Sequence, residues 1–293
     1  MTKVPILGVL GGTSLQNLPM VESKRLQRRI TPFGKAGLEF TQGTLSNHSQ
    51  LIFANRHGFG HRKNPSIINY RAIIWRMKQL GVTHLLSVSA VGSLREEIVP
   101  GDTFVIPWQT YDHTKGLRKR SFFQDDLAVH VAMADPICQT FALALEKACQ
   151  SSDIPQRVQI ETKRPYVVIE GPQYGTRAES NVLRNLFNGS VVGMTATPED
   201  RLTREALLCY AVLAMPADYD AWRTGETAVD ADAVHSGMQG FGDSANRIIE
   251  TLAGNLPPIE CSCRHALDGF AVHTNLDIVD AKDMTDFNFL LGR

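Results

Sequence analysis

The sequence has no surplus of either charge. Its 30 lysines and arginines are balanced by 30 aspartates and glutamates, so nothing marks it as an electrostatic binder of nucleic acid. Nor does it have a long apolar run. No stretch approaches the roughly 20 apolar residues that a helical membrane span needs. The opening MTKVPILGVLGG is too short in apolar residues for a signal peptide and lacks a small-residue cleavage site. Cysteine is scarce, with five in 293 residues. An odd count without a secretion signal points to a reduced, cytoplasmic chain rather than a disulfide framework. Cys138, Cys149 and Cys209 fall in apolar patterns that read as helical, which makes them buried thiols. Cys261-Ser262-Cys263 stands apart. One ligand pair with no second pair does not make a zinc site, so a disulfide and plain thiols both stay open, thiols being favoured. There is no internal repeat and no low-complexity tract.

Hydrophobic residues make up 43% of the chain, enough for one large core or two modest ones. The stretch Leu85 to Asp102, LLSVSAVGSLREEIVPGD, organises the rest. It opens as an uncharged strand suited to the middle of a sheet. It then passes into Ser89-Ala90-Val91-Gly92-Ser93, whose small residues let a ligand approach the backbone. Similar short apolar runs recur at 5–10, 51–55, 103–106, 166–169, 191–195 and 210–215. Helical spacing is predicted over 67–80, 136–149, 177–187 and 243–253. Another helix is predicted from a Thr197 cap with Pro198 first, running to about Cys209. The basic run Arg118-Lys119-Arg120 reads as a solvated loop.

Alternating runs and helices predict an α/β fold with a mixed, largely parallel twisted sheet. Nearly every run ends in polar residues: Thr13, Arg56 with His57, Ser89, Glu170, Thr195, and Asp218 with Asp220. In an open α/β sheet such carboxyl ends converge on one crevice. One side of it offers hydroxyls, Arg, His and glycine N–H groups, a set suited to phosphate. The other offers two carboxyls beside Tyr174 and Tyr219, suited to a flat heterocycle and a proton donor. These features are compatible with cleavage of an N-glycosidic bond by phosphate, without singling it out.

The segments GVLGGTSL, RHGFGHRKNPSIINYRA, SAVGSLREEIVPGD, EGPQYGTRAES, VVGMTATPEDRLTREALLCYA and ADYDAW give the chain a specific likeness. It resembles the 5′-methylthioadenosine phosphorylase family of the trimeric purine nucleoside phosphorylase superfamily, from its start to about Trp222. The resemblance implies a single nucleoside phosphorylase-like domain, residues 1–255, whose sheet closes into a distorted barrel flanked by helices. Residues 256–293 would be a C-terminal extension packing on that domain or on a neighbouring subunit. By the same resemblance, Thr13, Arg56, His57, Ser89, Ala90 and Thr195 would surround phosphate, and Met194 would touch the ribose. Tyr174, where the family has Phe, would stack on the base. Asp218 would be the acid at purine N7, with Asp220 assisting at the 6-amino edge. His130 would serve the 5′ pocket of the neighbouring subunit. Gln173, Gly193 and Ala217 stand where the family has Arg, Asn and Thr.

The expected partners are a nucleoside, phosphate as co-substrate, and further copies of the chain in a homotrimer or hexamer. No cofactor, metal, membrane or nucleic acid is expected. The expected role is purine and methionine salvage. A 6-oxopurine or methylthioinosine phosphorylase is the alternative within the enzyme class, and a nucleoside-binding module the alternative outside it.

Overall fold

In the computed structural model, residues 4–292 are described except 13–14, 16–17, 19, 28, 37–38, 124–126, 225–237 and 239. Thr13, expected at the phosphate, therefore lies outside the described residues.

The framework is β1 (Leu7–Gly11), β2 (Met20–Leu26), β3 (Ile30–Thr31), β4 (Gly34–Lys35), β5 (Phe40–Leu45), β6 (Gln50–Asn55) and α1 (Tyr70–Gln79). These are followed by β7 (His84–Ser93), β8 (Thr103–Pro107), β9 (Thr110–His113), α2 (Gln139–Ser151), β10 (Arg157–Glu161) and β11 (Tyr166–Ile169). The chain continues with α3 (Arg177–Asn185), β12 (Val191–Gly193), α4 (Ala196–Glu205), β13 (Cys209–Asp218), α5 (Phe241–Gly254) and α6 (Ala281–Leu291).

Eleven strands form one sheet, in the order β10-β8-β13-β7-β1-β6-β5-β2, while β11 joins β9 to β12 and β12 pairs with β7. The sheet is mixed, as expected. The central neighbours β6, β1, β7 and β13 are parallel, whereas β5, β2 and the β13–β8 contact are antiparallel. No pairing among the described residues joins β10 to β2. Composition explains the positions. β7 and β13 are almost wholly buried along their length, as uncharged strands covered on both faces should be. β2, MVESKRL, is exposed and charged, the composition that protects an edge.

Helix limits follow caps rather than periodicity alone. The apolar run from 67 splits into a 3-10 turn, Pro65–Ile67, capped by Asn64, and α1, capped by Asn69. α3 starts on a capping box between Thr176 and Glu179, which satisfies two orphan donors at once. The expectation for α4 needs correcting. Its cap position is Thr195, Thr197 and Pro198 have non-helical backbone angles, and it stops at Glu205. Cys209 is the first residue of β13 rather than the end of a helix. Arg118 also departs from expectation, because it is buried rather than solvated.

One large core binds the parts together. It includes Phe104, Phe141, Tyr210 and Phe241, and also Cys263, Leu267, Phe287 and Leu290 of the last 38 residues. The tail is further tied down at Val129–Val272, an isolated antiparallel bridge flanked by His130 N–H to Ala271 O at 2.8 Å and His273 N–H to Ala128 O at 2.9 Å.

Candidate active site

β7 delivers Ser89 and Ala90, β12 delivers Met194 and Thr195, and β13 delivers Asp218. The register fixes how they meet. Val192 of β12 lies opposite Gly92 of β7, Ala214 of β13 lies opposite Ser89, and Asp218 lies opposite Gly92. The β13 register shifts between Pro216 and Asp218, a bulge that re-aims the following side chain. Gly92 leaves the space this needs. A Cβ there would stand 3.0 Å from Asp220 Cβ and 3.1 Å from Asp218 Oδ1.

The two carboxyls form a unit. The Asp220 N–H donates to Asp218 Oδ1 at 2.7 Å, and Ser180 Oγ donates to Asp220 Oδ2. Asp220 holds a left-handed backbone, φ 51°, uncommon outside glycine and tolerated by Asp. Burial raises its pKa above the usual carboxylate value, partly offset by the Ser180 hydrogen bond. Trp222 closes one side. Its Nε1–H reaches Ser93 O at 2.8 Å, and the Arg184 guanidinium lies over its ring at 4.1 Å. Ala217, in place of a hydroxyl residue, is simply buried.

On the side expected to hold phosphate, Ser89 and Thr195 are both buried. The Tyr166 hydroxyl of β11 stands beside both of theirs. Among the described residues, these three hydroxyls have no hydrogen-bond partner outside their own group. Buried polar groups are almost always paired, so three hydroxyls clustered at one point with no partner beyond each other suit an acceptor-rich ligand. Gly193 is the reason Tyr166 fits. A Cβ at 193 would stand 2.8 Å from Tyr166 Cζ and closer still to its oxygen. Sequence reasoning flagged Gly193 but missed Tyr166, whose only signal was a tyrosine opening an apolar strand.

Arg56 and His57 lie at the end of β6. Arg56 is 1% exposed, and its fork is turned into the protein. Nε reaches Glu199 Oε1 at 2.8 Å, Nη1 reaches Val88 O at 3.0 Å, and Nη2 reaches Leu10 O and Ser87 Oγ at 2.8 Å each. Four of its five N–H groups are thereby engaged. Burial opposes the charge of Arg56, but Glu199 beside it wins and raises its pKa. Glu199 also accepts from the Tyr210 hydroxyl at 3.0 Å. It was not foreseen, because it is 143 residues from Arg56 in the chain. His57 is pushed down to about 3 by burial and by Arg56, so it is neutral at pH 7. Its Nδ1–H donates to Lys63 O at 2.8 Å, which leaves Nε2 as an acceptor.

Arg118 and Glu170 frame the floor. Their ion pair is 2.9 Å, and Arg118 also donates to the carbonyls of Met194 and Thr197. Met194 packs against Gly171, where a Cβ would crowd its sulfur. Ala90 is exposed, and Tyr174 is 44% exposed. His130 is not gathered with the others. It lies against the tail, its ring edge-on to His273 at 4.7 Å. A cleft of about 360 Å³ between α1 and α6, lined by Phe33, Trp75 and Phe287 among others, contains none of the candidates.

Residues 6–253 match the phosphorylase superfamily. The chain is 38% identical to the S-methyl-5′-thioadenosine phosphorylase of Geobacter sulfurreducens, over 98% of each chain. A solved methylthioadenosine phosphorylase from an antarctic soil metagenomic library superposes with a TM-score of 0.88, at 37% identity and 99% of both chains. The methylthioadenosine phosphorylase of Schistosoma mansoni, solved in complex with adenine, superposes with a TM-score of 0.78. It is 30% identical, over 85% of this chain and 91% of that one.

Proposed function

The chain belongs to the methylthioadenosine phosphorylases of the phosphorylase superfamily, and we infer that it cleaves 5′-methylthioadenosine with phosphate, giving adenine and 5-methylthioribose 1-phosphate. This is a pentosyl transfer that fits purine and methionine salvage. One observation supports the geometry above the others: three clustered hydroxyls with no partner outside their group on one side of β7, and a carboxyl pair three residues further along it. That separation is about 10 Å along a strand, which leaves room for a ribose between phosphate and base.

In this reading Ser89, Thr195 and Tyr166 donate to phosphate oxygens. Arg56 adds its one remaining N–H, and its larger part is to hold the ends of β1, β6 and β7 together around a fixed positive charge. Neutral His57 accepts a hydrogen bond at Nε2 from the P–OH of monohydrogen phosphate, which stays a dianion. Phosphate oxygen forms the bond to C1′ as the bond to N9 breaks, and the bonding pair leaves with the base. Positive charge develops on the sugar in between, next to the phosphate dianion, which is where electrostatic stabilisation counts most. Asp218 protonates N7 and makes the base a better leaving group, a contribution of about 10²–10⁴-fold for positioned proton transfer. Asp220 orders Asp218 and favours a 6-amino edge. Met194 lines the ribose, and Tyr174 lies on the base.

The exposure of Tyr174 in the single chain fits a pocket finished by a second copy, with His130 contributed across the interface of a trimer or hexamer. Residues 1–255 would be the catalytic domain and 256–293 an extension. Phosphate is the co-substrate, and the reaction needs no cofactor. No described helix is long and apolar enough to cross a membrane.

The test is a substrate panel of methylthioadenosine, adenosine, methylthioinosine and inosine, with and without phosphate. Phosphate-dependent release of adenine from methylthioadenosine should dominate. Asp218→Asn swaps an acid for an N–H donor, and a site tuned to one hydrogen-bonding pattern penalises the other. This variant should lose most activity on methylthioadenosine and relatively less on methylthioinosine. A wild type that prefers the 6-oxo nucleoside, or a kcat/KM ratio that does not move in the variant, would falsify the base assignment. Base release without phosphate would remove the phosphorolysis reading.

A further inference from the structure

Spacing along the chain leaves Cys261 and Cys263 as an isolated pair, but the fold supplies two more sulfurs. Cys138 occupies the N-cap position of α2, Cys209 opens β13, and the tail turns at Cys261 into a 3-10 helix, Ser262–His265, directly against both. The four Sγ atoms all lie within 4.8 Å of one another. Cys138 Sγ to Cys261 Sγ is 3.8 Å, and Cys209 Sγ to Cys261 Sγ is 3.0 Å. None is in a disulfide, three are buried, and Cys261 is partly covered. Four thiolates around one zinc ion at about 2.3 Å would hold their sulfurs about 3.8 Å apart, which is the spacing this cluster brackets.

The surroundings suit a metal thiolate as well. Zinc with four thiolates carries two negative charges, and cationic or N–H donors next to the sulfurs stabilise such a centre. Arg204 Nη1 donates to Cys263 Sγ at 3.4 Å. The Arg264 N–H donates to Cys261 O at 3.0 Å, and its Nη1 reaches Leu207 O at 3.0 Å, two residues before Cys209. All four positions of a tetrahedron are filled by protein, the mark of a structural rather than a catalytic site. An all-sulfur tetrahedral set selects zinc or iron. Sulfurs this close enclose a single ion and leave no volume for a multi-iron cluster.

We propose that Cys138, Cys209, Cys261 and Cys263 bind one zinc ion that fastens the C-terminal extension to the sheet. Binding replaces the thiol protons with the ion and releases them to solvent, with no change of oxidation state. The consequence extends along the tail. Residues 271–273 pair with 128–130 eight residues beyond Cys263, so the anchored turn also sets the strip that carries His130.

The experiment is metal analysis of protein purified with reductant and without chelator, then supplied with one equivalent of Zn²⁺ and desalted. One zinc per chain is expected. Cys209→Ser and Cys261→Ser should each reduce it to background, while Cys149→Ser, at a buried cysteine outside the cluster, should keep it. Replacement by Co²⁺ should give the strong visible bands and sulfur-to-cobalt charge transfer of tetrahedral thiolate ligation. If the serine variants do not fold, zinc stoichiometry and the cobalt spectrum of the native chain still decide. Four freely titrating thiols with no bound zinc would overturn the proposal. So would two disulfides under the same reducing conditions, or iron retained in preference to added zinc. Base release from nucleosides is scored separately, so failure here leaves the phosphorolysis reading intact.

Discussion

Removing the Tyr166 hydroxyl is the narrowest probe of the proposed phosphate pocket. Tyr166→Phe keeps the ring in its place and deletes one of the three hydroxyls that meet no partner outside their own group. A hydrogen bond to a charged group contributes about 1.5–3 kcal/mol. The phosphate KM should therefore rise roughly ten- to a hundredfold by that figure, with kcat at saturating phosphate much less affected. Steady-state kinetics with phosphate varied would show it, and an unchanged phosphate KM would place the hydroxyl outside the pocket. Thr195 and Ser89 stood out as candidates in the sequence because each sits at the end of an apolar run, where an open sheet presents ligands. Tyr166 was not, because its role depends on Gly193 of the adjacent strand lacking a side chain. Arg56 stood out in the sequence as a candidate site residue. The inward turn of its guanidinium was not, since Glu199, Val88, Leu10 and Ser87 meet it only after folding.

α4 and the end of β6 are joined by one ion pair, Arg56 to Glu199 at 2.8 Å, with 1% and 0% of the two side chains exposed. Deleting one partner of a buried pair leaves the other charged and unmatched, at a cost of about 3–5 kcal/mol. Glu199→Ala should lower stability by that order in urea unfolding monitored by circular dichroism. A loss under about 1 kcal/mol, the range of exposed pairs, would mean that water or relaxation compensates Arg56. The parallel strands and the main helices could be read from periodicity because burial dictates it. The edge could not. β2 is charged and exposed, so it carries no apolar alternation, and its pairing with β5 is visible only in three dimensions. The loop around Arg118 misled for the opposite reason. A run of three basic residues looks solvated, yet the first is held inside by Glu170 and by carbonyls of the site floor.

Acid and base act on the entire chain through groups remote from the pocket. Burial pushes Glu205 up to about 7, against the hydrogen bond it accepts from the Phe122 N–H at 2.7 Å. Its folded-state value exceeds its ordinary one of 4.5. Its stabilising share is therefore complete below pH 4.5 and lost as pH rises through about 7, a change of about 3 kcal/mol by linkage. Glu205→Gln should flatten the fall in Tm between pH 5 and 8. A parallel fall in variant and wild type would show that Glu205 is not buried uncharged. Assembly can be tested with two inactive variants, Asp218→Asn and His130→Ala. Mixed oligomers re-formed from dilute denaturant should regain some activity if sites are shared between copies. A fully active monomer by light scattering would end the shared-site account. β7 has a further consequence. It is flanked by β13 along most of its length, by β1 over His84–Ser87 and by β12 at its end, so its central amides are covered while those strands stay in place. In heavy water, Leu86 to Val88 should exchange only through global opening, even though the loops around them exchange freely. The proposed pocket thus rests on the last part of the molecule to come undone, and on heating its loss should coincide with global unfolding rather than precede it.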